Sequence, residues 1–394
     1  MISKKKQDKF QININDSFPF LDGLDLSVNM SIIIYLCSFF LPDVDTRVAI
    51  VIMSSIIFLS FTSRVFDLKV SKLIQNSKFE KINIFIILPF LYLPPTLITL
   101  NSSTILAVII LSTSRILIGL FFSLCYRNLK VNDLNQFTNL YLTKYWVIYF
   151  LGLIVGFFLF SLMNEVYSND FLNSGGWKIL YIILISISFF LYVISNFLLK
   201  ISTKFDSHII IENRTKNNFS INFLIILIPI FTYLLFSSSH WLPKFSNPEN
   251  LHFLSYDFLY PFLTIMLFIF LTPLANLVGR KKSITFFCLS IIIISAVISF
   301  ISHSSSYSID FLKFFIALVS SFTICCFILQ SQYKKISSSK LLSELNLVLF
   351  ILSITVPFIF YYFIYHSINY SGIYIFFALV YLINYFTFFS QKNG

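Results

Sequence analysis

Apolar runs of about 20 residues, separated by short basic turns, recur along the whole chain and decide what it can fold into. A hydrocarbon core about 30 Å thick is crossed by about 20 apolar residues in a helix. In lipid the backbone polar groups must be satisfied internally, so helices or closed barrels are the available solutions. Barrel strands are alternating segments of about 10 residues, and these runs are far longer and not alternating. Twelve helical spans are predicted, at 20–41, 48–66, 82–100, 104–125, 141–163 and 179–199, then 221–237, 255–271, 283–301, 311–330, 341–365 and 371–390. The longest polar interruption, KISTKFDSHIIIENRTKNNFS at 200–220, divides them six and six. The expected organisation is a first bundle over 1–199, a linker over 200–220 and a second bundle over 221–394.

Composition excludes the soluble alternatives. Charged residues make up 11 % of the 394, against about 25 % in ordinary soluble domains, and mean hydropathy is +0.84. Fifty Phe with only 9 Gly exclude a collagenous or disordered chain. A net charge of +11 would suggest nucleic acid in a soluble protein; here the basic residues sit in turns, where they report topology, and no nucleic-acid partner is expected. With the first residue in the cytoplasm, 22 of the 28 Lys and Arg fall on the cytoplasmic side and four outside, at Arg47, Lys178, Lys244 and Lys313. Both termini are therefore expected in the cytoplasm. The remaining two, Arg64 and Arg115, lie within or at the end of spans.

Five cysteines in apolar segments show no metal-ligand spacing, so they read as packing residues, with no metal and no cofactor expected. The first apolar block has no small-residue cleavage site after it and reads as a retained first helix.

A charge within the bilayer costs at least about 2.5 to 3.5 kcal/mol and marks a pathway more often than packing. The first span opens FLDGLDLSVNMS, which puts Asp22, Asp25 and Asn29 on one helical face. A desolvated carboxylate there can take up and release a proton, and Asp25, one turn deeper than Asp22, is the better placed. The bland reading of Asp22 is a helix-start acid offsetting the dipole. Arg115, in STSRILIGLFF, sits too deep to snorkel and needs an acidic partner, for which Asp25 is the natural candidate. A static charge pair that only fixes packing is the competing reading. Asn29, Tyr233, Tyr256, Asp257 and Asn346 are the candidates for lining a substrate cavity. Glu165, Asp170, Lys178, Asp310 and Lys313 flank turns and are expected in solvent, and Trp146, Trp177 and Trp241 are expected as interfacial anchors.

The turn PLANLVGRKKSI, with Gly279 followed by Arg280, Lys281 and Lys282, resembles the signature turn of the major facilitator superfamily, Gly-x-Leu-x-Asp-Arg-x-Gly-Arg-Lys, which recurs after helices 2 and 8. The first copy, SRVFDLKVSKLIQNSKFEKINIF, puts Phe79 at a glycine position and Glu80 at the following basic one. Both copies carry asparagine, Asn76 and Asn276, where the family has its gate aspartate, so gating is expected to use other pairs among Arg64, Asp67 and Glu80. Within that superfamily the chain resembles the metabolite:proton symporter branch almost end to end. Asp22 and Asp25 take the acidic positions of its helix 1, Phe39, Phe40 and Pro42 echo its Phe-Phe-Pro turn, Arg115 and Gly119 match its Arg-x-x-Gln-Gly, GGWK at 175–178 resembles its Gly-Trp-Arg, and Asn346 and Pro357 are in register on helix 11. The branch's Gly-Gly-Glu after helix 4 is replaced by FFSLCYRN. In its shortened, Phe/Ile/Asn/Lys-rich form the chain is similar to the phagosomal nutrient transporters of intracellular bacteria.

The resemblance implies an all-α membrane protein of 12 helices in two six-helix bundles, monomeric, in a bacterial inner membrane, that imports a small polar metabolite such as an amino acid with protons by alternating access. Its proton-coupling residues would be Asp25, Asp22 and Arg115. The alternative is a drug or siderophore exporter of the same fold; such antiporters carry a Gly-rich helix 5 ending in Gly-Pro, whereas YFLGLIVGFFLFS has only Gly152 and Gly156. A membrane-embedded enzyme is disfavoured, since no G-x-S-x-G, phosphate-cradling loop or metal-binding carboxylate pair is present in the sequence. A non-transporting receptor is disfavoured by the short loops.

Overall fold

The computed structural model describes residues 17–66, 84–99, 104–128, 139–194 and 259–301, with a few further positions between 317 and 382. Among them every regular element is helical. The first span is two helices, α1 (Ser17–Ser31) and α2 (Ile33–Phe40), bent by 55° at Ile32. α3 (Thr46–Thr62) runs into a 3-10 turn, Ser63–Phe66. α4 (Ile84–Leu97), α5 (Thr104–Asn128) and α6 (Asn139–Val166) follow. A short irregular helical stretch, Asn169–Gly176, meets α7 (Lys178–Val193) at 61°. α8 (Leu259–Val278) and α9 (Arg280–Ile301) are separated by Gly279 alone, whose φ of +96° is the left-handed conformation that glycine adopts without steric cost. The expected start of this last span at Ser283 therefore moves back to Arg280.

Among the described residues three helices are long and apolar enough to cross a membrane singly, Val48–Phe66, Thr104–Cys125 and Lys144–Val166, and two bent pairs pass the same test when each is taken together. The spans expected at 221–237, 311–330, 341–365 and 371–390 lie wholly or largely outside the described residues.

α1 is enclosed by its neighbours. Of its 15 residues, 13 are buried, including Asp22, Asp25, Ser27 and Asn29, so no face is left to lipid. Its tightest neighbour is α6. A side chain at Gly152 would collide with the Phe20 carbonyl, and one at Gly156 with Ser27, so glycine is what lets the two backbones approach. Without a hydrophobic force between helices in lipid, such close backbone contact supplies the association.

α4 shows how a proline-rich helix is kept satisfied. Pro95 has no N–H for the Leu91 carbonyl four residues earlier. The Ser114 hydroxyl on α5 donates to that carbonyl at 2.6 Å. The replacement bond also fixes α4 against α5 beside Tyr92 and Arg115.

Candidate ion-pair site

Two carboxylates on α1 face two arginines from different elements. Asp25 accepts from Arg115 Nη1 and Nη2, both at 2.7 Å, a two-pronged pair whose members are 2 % and 1 % exposed. Asp22 pairs in the same way with Arg64 of the 3-10 turn, at 3.0 and 2.6 Å. Arg–carboxylate geometry of this kind is the strongest form of ion pair because both N–H bonds run parallel to their acceptors. The structure thus brings Arg115 to Asp25 and gives Asp22 a separate arginine of its own.

The surroundings of the two pairs differ. The Arg64 guanidinium lies over the Phe61 ring at 4.6 Å and near Phe122 at 6.0 Å, so aromatic faces enclose it. The Asp25 pair lies in a polar network. Arg115 Nη2 also donates to Ser60 Oγ at 3.2 Å, and Ser60 in turn donates to the Ile57 carbonyl. One turn beyond Arg115, Gly119 lets α5 press against the Ser60 carbonyl, where any side chain would collide. Asn29 Nδ2 donates to Asp25 Oδ1 at 3.1 Å and to the Asp25 carbonyl at 2.7 Å. Its Oδ1 accepts from the Tyr181 hydroxyl on α7 at 2.5 Å, which orients the amide. Tyr92 on α4 completes the cluster, its ring edge-on to Tyr181 with centroids 6.4 Å apart.

Ser60, Tyr92 and Tyr181 are absent from the sequence expectations. Two of them are mid-span tyrosines, in FLYLPP and KILYII, and their depth in an apolar helix is the available signal. Asn29, expected to line a cavity, is fully buried with both ends of its amide engaged.

Several other expectations change. Lys178 is not free in solvent: its ammonium donates to the Ile98 carbonyl just beyond α4 and lies 5.4 Å from the Phe39 ring. Trp177 is fully buried against Phe39, Phe40 and Tyr181 rather than anchored at an interface. The cause is the corner before α7, where Gly175 at φ +120° turns the chain inward. Glu165 and Asp170 are exposed as expected. Trp146 is partly buried beside Tyr145, Tyr149 and Phe150. Among the candidate gating residues, Asn276 lies in α8, Gly279 forms the turn, and Arg280 and Lys281 open α9. Asp67, Asn76, Glu80, Tyr233, Tyr256, Asp257 and Asn346 lie outside the described residues.

No family model matches the sequence, and no curated protein matches it. Solved structures do match its shape. The proton:xylose symporter XylE of the major facilitator superfamily, bound to 6-bromo-6-deoxy-D-glucose, superposes with a TM-score of 0.64 at 13 % identity, over 96 % of this chain and 95 % of that one. The fold is that of the major facilitator transporters. An auto-inhibited peptide transporter of the POT family gives 0.62 at 12 % identity, over 96 % and 97 % of the two chains. A bacterial homologue of the iron transporter ferroportin, in its outward-facing state, gives 0.59 at 12 % identity, over 97 % of this chain and all of that one. The matches run nearly end to end, and the proteins matched are named for different cargoes. At these identities the likeness is one of fold.

Proposed function

We propose that this chain is a secondary transporter that imports a small polar metabolite with protons by alternating access, and that Asp25 carries the proton. The observation that supports this most is the buried Asp25–Arg115 pair in an apolar bundle. While Arg115 holds both carboxylate oxygens, the partner it offers is matched to a carboxylate that carries no proton. When Arg115 withdraws, an isolated carboxylate in that setting is costly and takes up a proton instead. Arg115 then retains the Ser60 hydroxyl as a partner. A site that alternates between an ion pair and a neutral acid couples proton binding to helix movement.

The remaining assignments follow the same reading. The chain forms 12 spans in two bundles, over 1–199 and 221–394, with both termini cytoplasmic, and lies in a bacterial inner membrane as a monomer. Arg280 and Lys281 act at the cytoplasmic gate with Gly279 and Asn276. Asn29, Tyr233, Tyr256, Asp257 and Asn346 serve the cargo. The similarity to metabolite:proton symporters favours an amino acid or related nutrient; a pentose is the second reading, favoured by the xylose symporter among the structural neighbours.

The test is a purified protein in proteoliposomes loaded with a pH dye. Acidification of the interior is expected on adding one pool among amino acids, dicarboxylates, betaines and pentoses, and is expected to be lost in Asp25→Asn while unlabelled-for-labelled exchange persists. Uphill uptake by Asp25→Asn at normal expression would remove Asp25 as the carrier. Silence towards every pool, with reconstitution verified, would favour an exporter.

A further inference from the structure

The partners of the Asp25 carboxylate share one property. Arg115 Nη1, Arg115 Nη2 and Asn29 Nδ2 are all donors and can accept nothing. They suit an ionised carboxylate. A protonated Asp25 carries an O–H that must find an acceptor, because an unsatisfied polar group in an apolar interior is costly.

Two of the nearby hydroxyls are already committed. Ser60 accepts from Arg115 and donates to the Ile57 carbonyl, and Tyr181 donates to the far end of Asn29. The third belongs to Tyr92. It is fully buried against Tyr181 in the same cluster, and its hydroxyl has no hydrogen-bond partner among the described residues in this state. Its placement is constrained on two sides, by the Tyr181 ring and by the Ser114–Leu91 bond, which joins the residue before Arg115 to the residue before Tyr92. Among the described residues, the charged and titratable groups around the cluster are Asp22 on α1, Arg64 from the 3-10 turn, Arg115 and Cys125 from α5, Tyr181 from α7 and Tyr92 from α4. α6 meets α1 through Gly152 and Gly156.

We propose that Tyr92 is a positioning residue for the proton: its hydroxyl oxygen accepts the O–H of protonated Asp25 once Arg115 has withdrawn. Asp25 keeps the proton, and only hydrogen bonds change. The inference rests on Asp25 as the carrier. It gives the neutral state a partner matched to it, as Arg115 is matched to the ionised state.

The direction of the effect follows. Removing the Tyr92 hydroxyl leaves the ion-paired state nearly untouched and deprives the protonated state of a hydrogen bond. Proton affinity should fall by up to about tenfold, which is about one unit on the pH axis. Infrared difference spectra of the substrate-free protein in lipid, recorded across pH in the carboxylic-acid C=O region, read this directly. A titrating band that disappears in Asp25→Asn identifies the carrier. In Tyr92→Phe the same band is expected to titrate about one pH unit lower and to move to higher wavenumber, and Tyr92→Met, also without a hydroxyl, is expected to do the same. An unmoved midpoint in both variants, with the band still lost in Asp25→Asn, would overturn the role of Tyr92 alone. A band that persists in Asp25→Asn would overturn the assignment of Asp25, and the inference with it.

Discussion

Asp22 and Asp25, three residues apart on α1, hold arginines from two different elements, Arg64 in the 3-10 turn after α3 and Arg115 in the middle of α5. Two adjacent buried pairs of the same chemistry thus differ in what surrounds them, rings for one and hydroxyls and an amide for the other. On the proposed function, the ring-enclosed pair ties helices together and the other changes partners.

Breaking the Asp22–Arg64 pair from one side should therefore register as lost stability. Removing one member leaves an uncompensated buried charge, at a cost of about 3 to 5 kcal/mol. Arg64→Met and Asp22→Leu are each expected to lower the unfolding temperature in detergent. The double variant, which leaves neither charge, is expected to recover most of the loss. Equal damage in the double and single variants would show that the cost does not come from the orphaned charge.

The Ser114–Leu91 bond makes a second pairwise prediction. Ser114→Ala leaves the Leu91 carbonyl without a donor, because Pro95 supplies none, and should cost about 1 to 3 kcal/mol. Adding Pro95→Ala restores a backbone N–H four residues on and should return most of that stability. Thermal unfolding of the two variants decides it.

Gly152 and Gly156 set the distance between α1 and α6. Gly152→Ala must push the Phe20 backbone away, and overpacking of this kind costs about 1 to 3 kcal/mol. A lower folded yield and unfolding temperature are expected, whereas Ala at Gly279, which has no neighbour within 4 Å, should be felt only through its positive φ.

Tyr181 orients Asn29 through the short bond to its Oδ1. Tyr181→Phe leaves that oxygen buried without its donor, a loss of about 1 to 3 kcal/mol. The Asn29 amide is then free to turn its oxygen towards Asp25, and so to offer an acceptor where it now offers a donor. Stability should fall, and proton affinity read in the infrared should rise, opposite in sign to the change expected for Tyr92→Phe.

How far the sequence discloses this site depends on the cost of each residue in lipid. Asp25 and Arg115 stand out because a charge inside an apolar run is expensive whichever way its helix faces. Tyr92, Tyr181 and Ser60 carry no such mark; the chain has 21 tyrosines, and finding these two requires knowing how each helix is rotated. Helices apolar all round, as α4 and α7 are, give no periodic signal from which to read that rotation. Where the helices of the first six expected stretches run was legible from length and hydropathy alone. The bend at Ile32 was not, since it falls within an apolar run, nor was the inward direction of the corner at Gly175, which lies in the polar turn between two expected spans and carries Trp177 and Lys178 inward.

The enclosure of α1 has a consequence for how variation in this chain will read. Most membrane helices have a lipid-facing side that tolerates exchange of one apolar residue for another; α1, with 13 of 15 residues buried, has almost none. Sequence drift along 17–31 is therefore screened by assembly before it is screened by function. Within a large set of natural or random variants, this stretch should stay nearly fixed even at positions such as Leu21 and Leu24, far from any proton, and a loss-of-function map would mark it as uniformly sensitive. Telling the few residues that handle charge from the many that hold the bundle will take measurements on protein that has already folded.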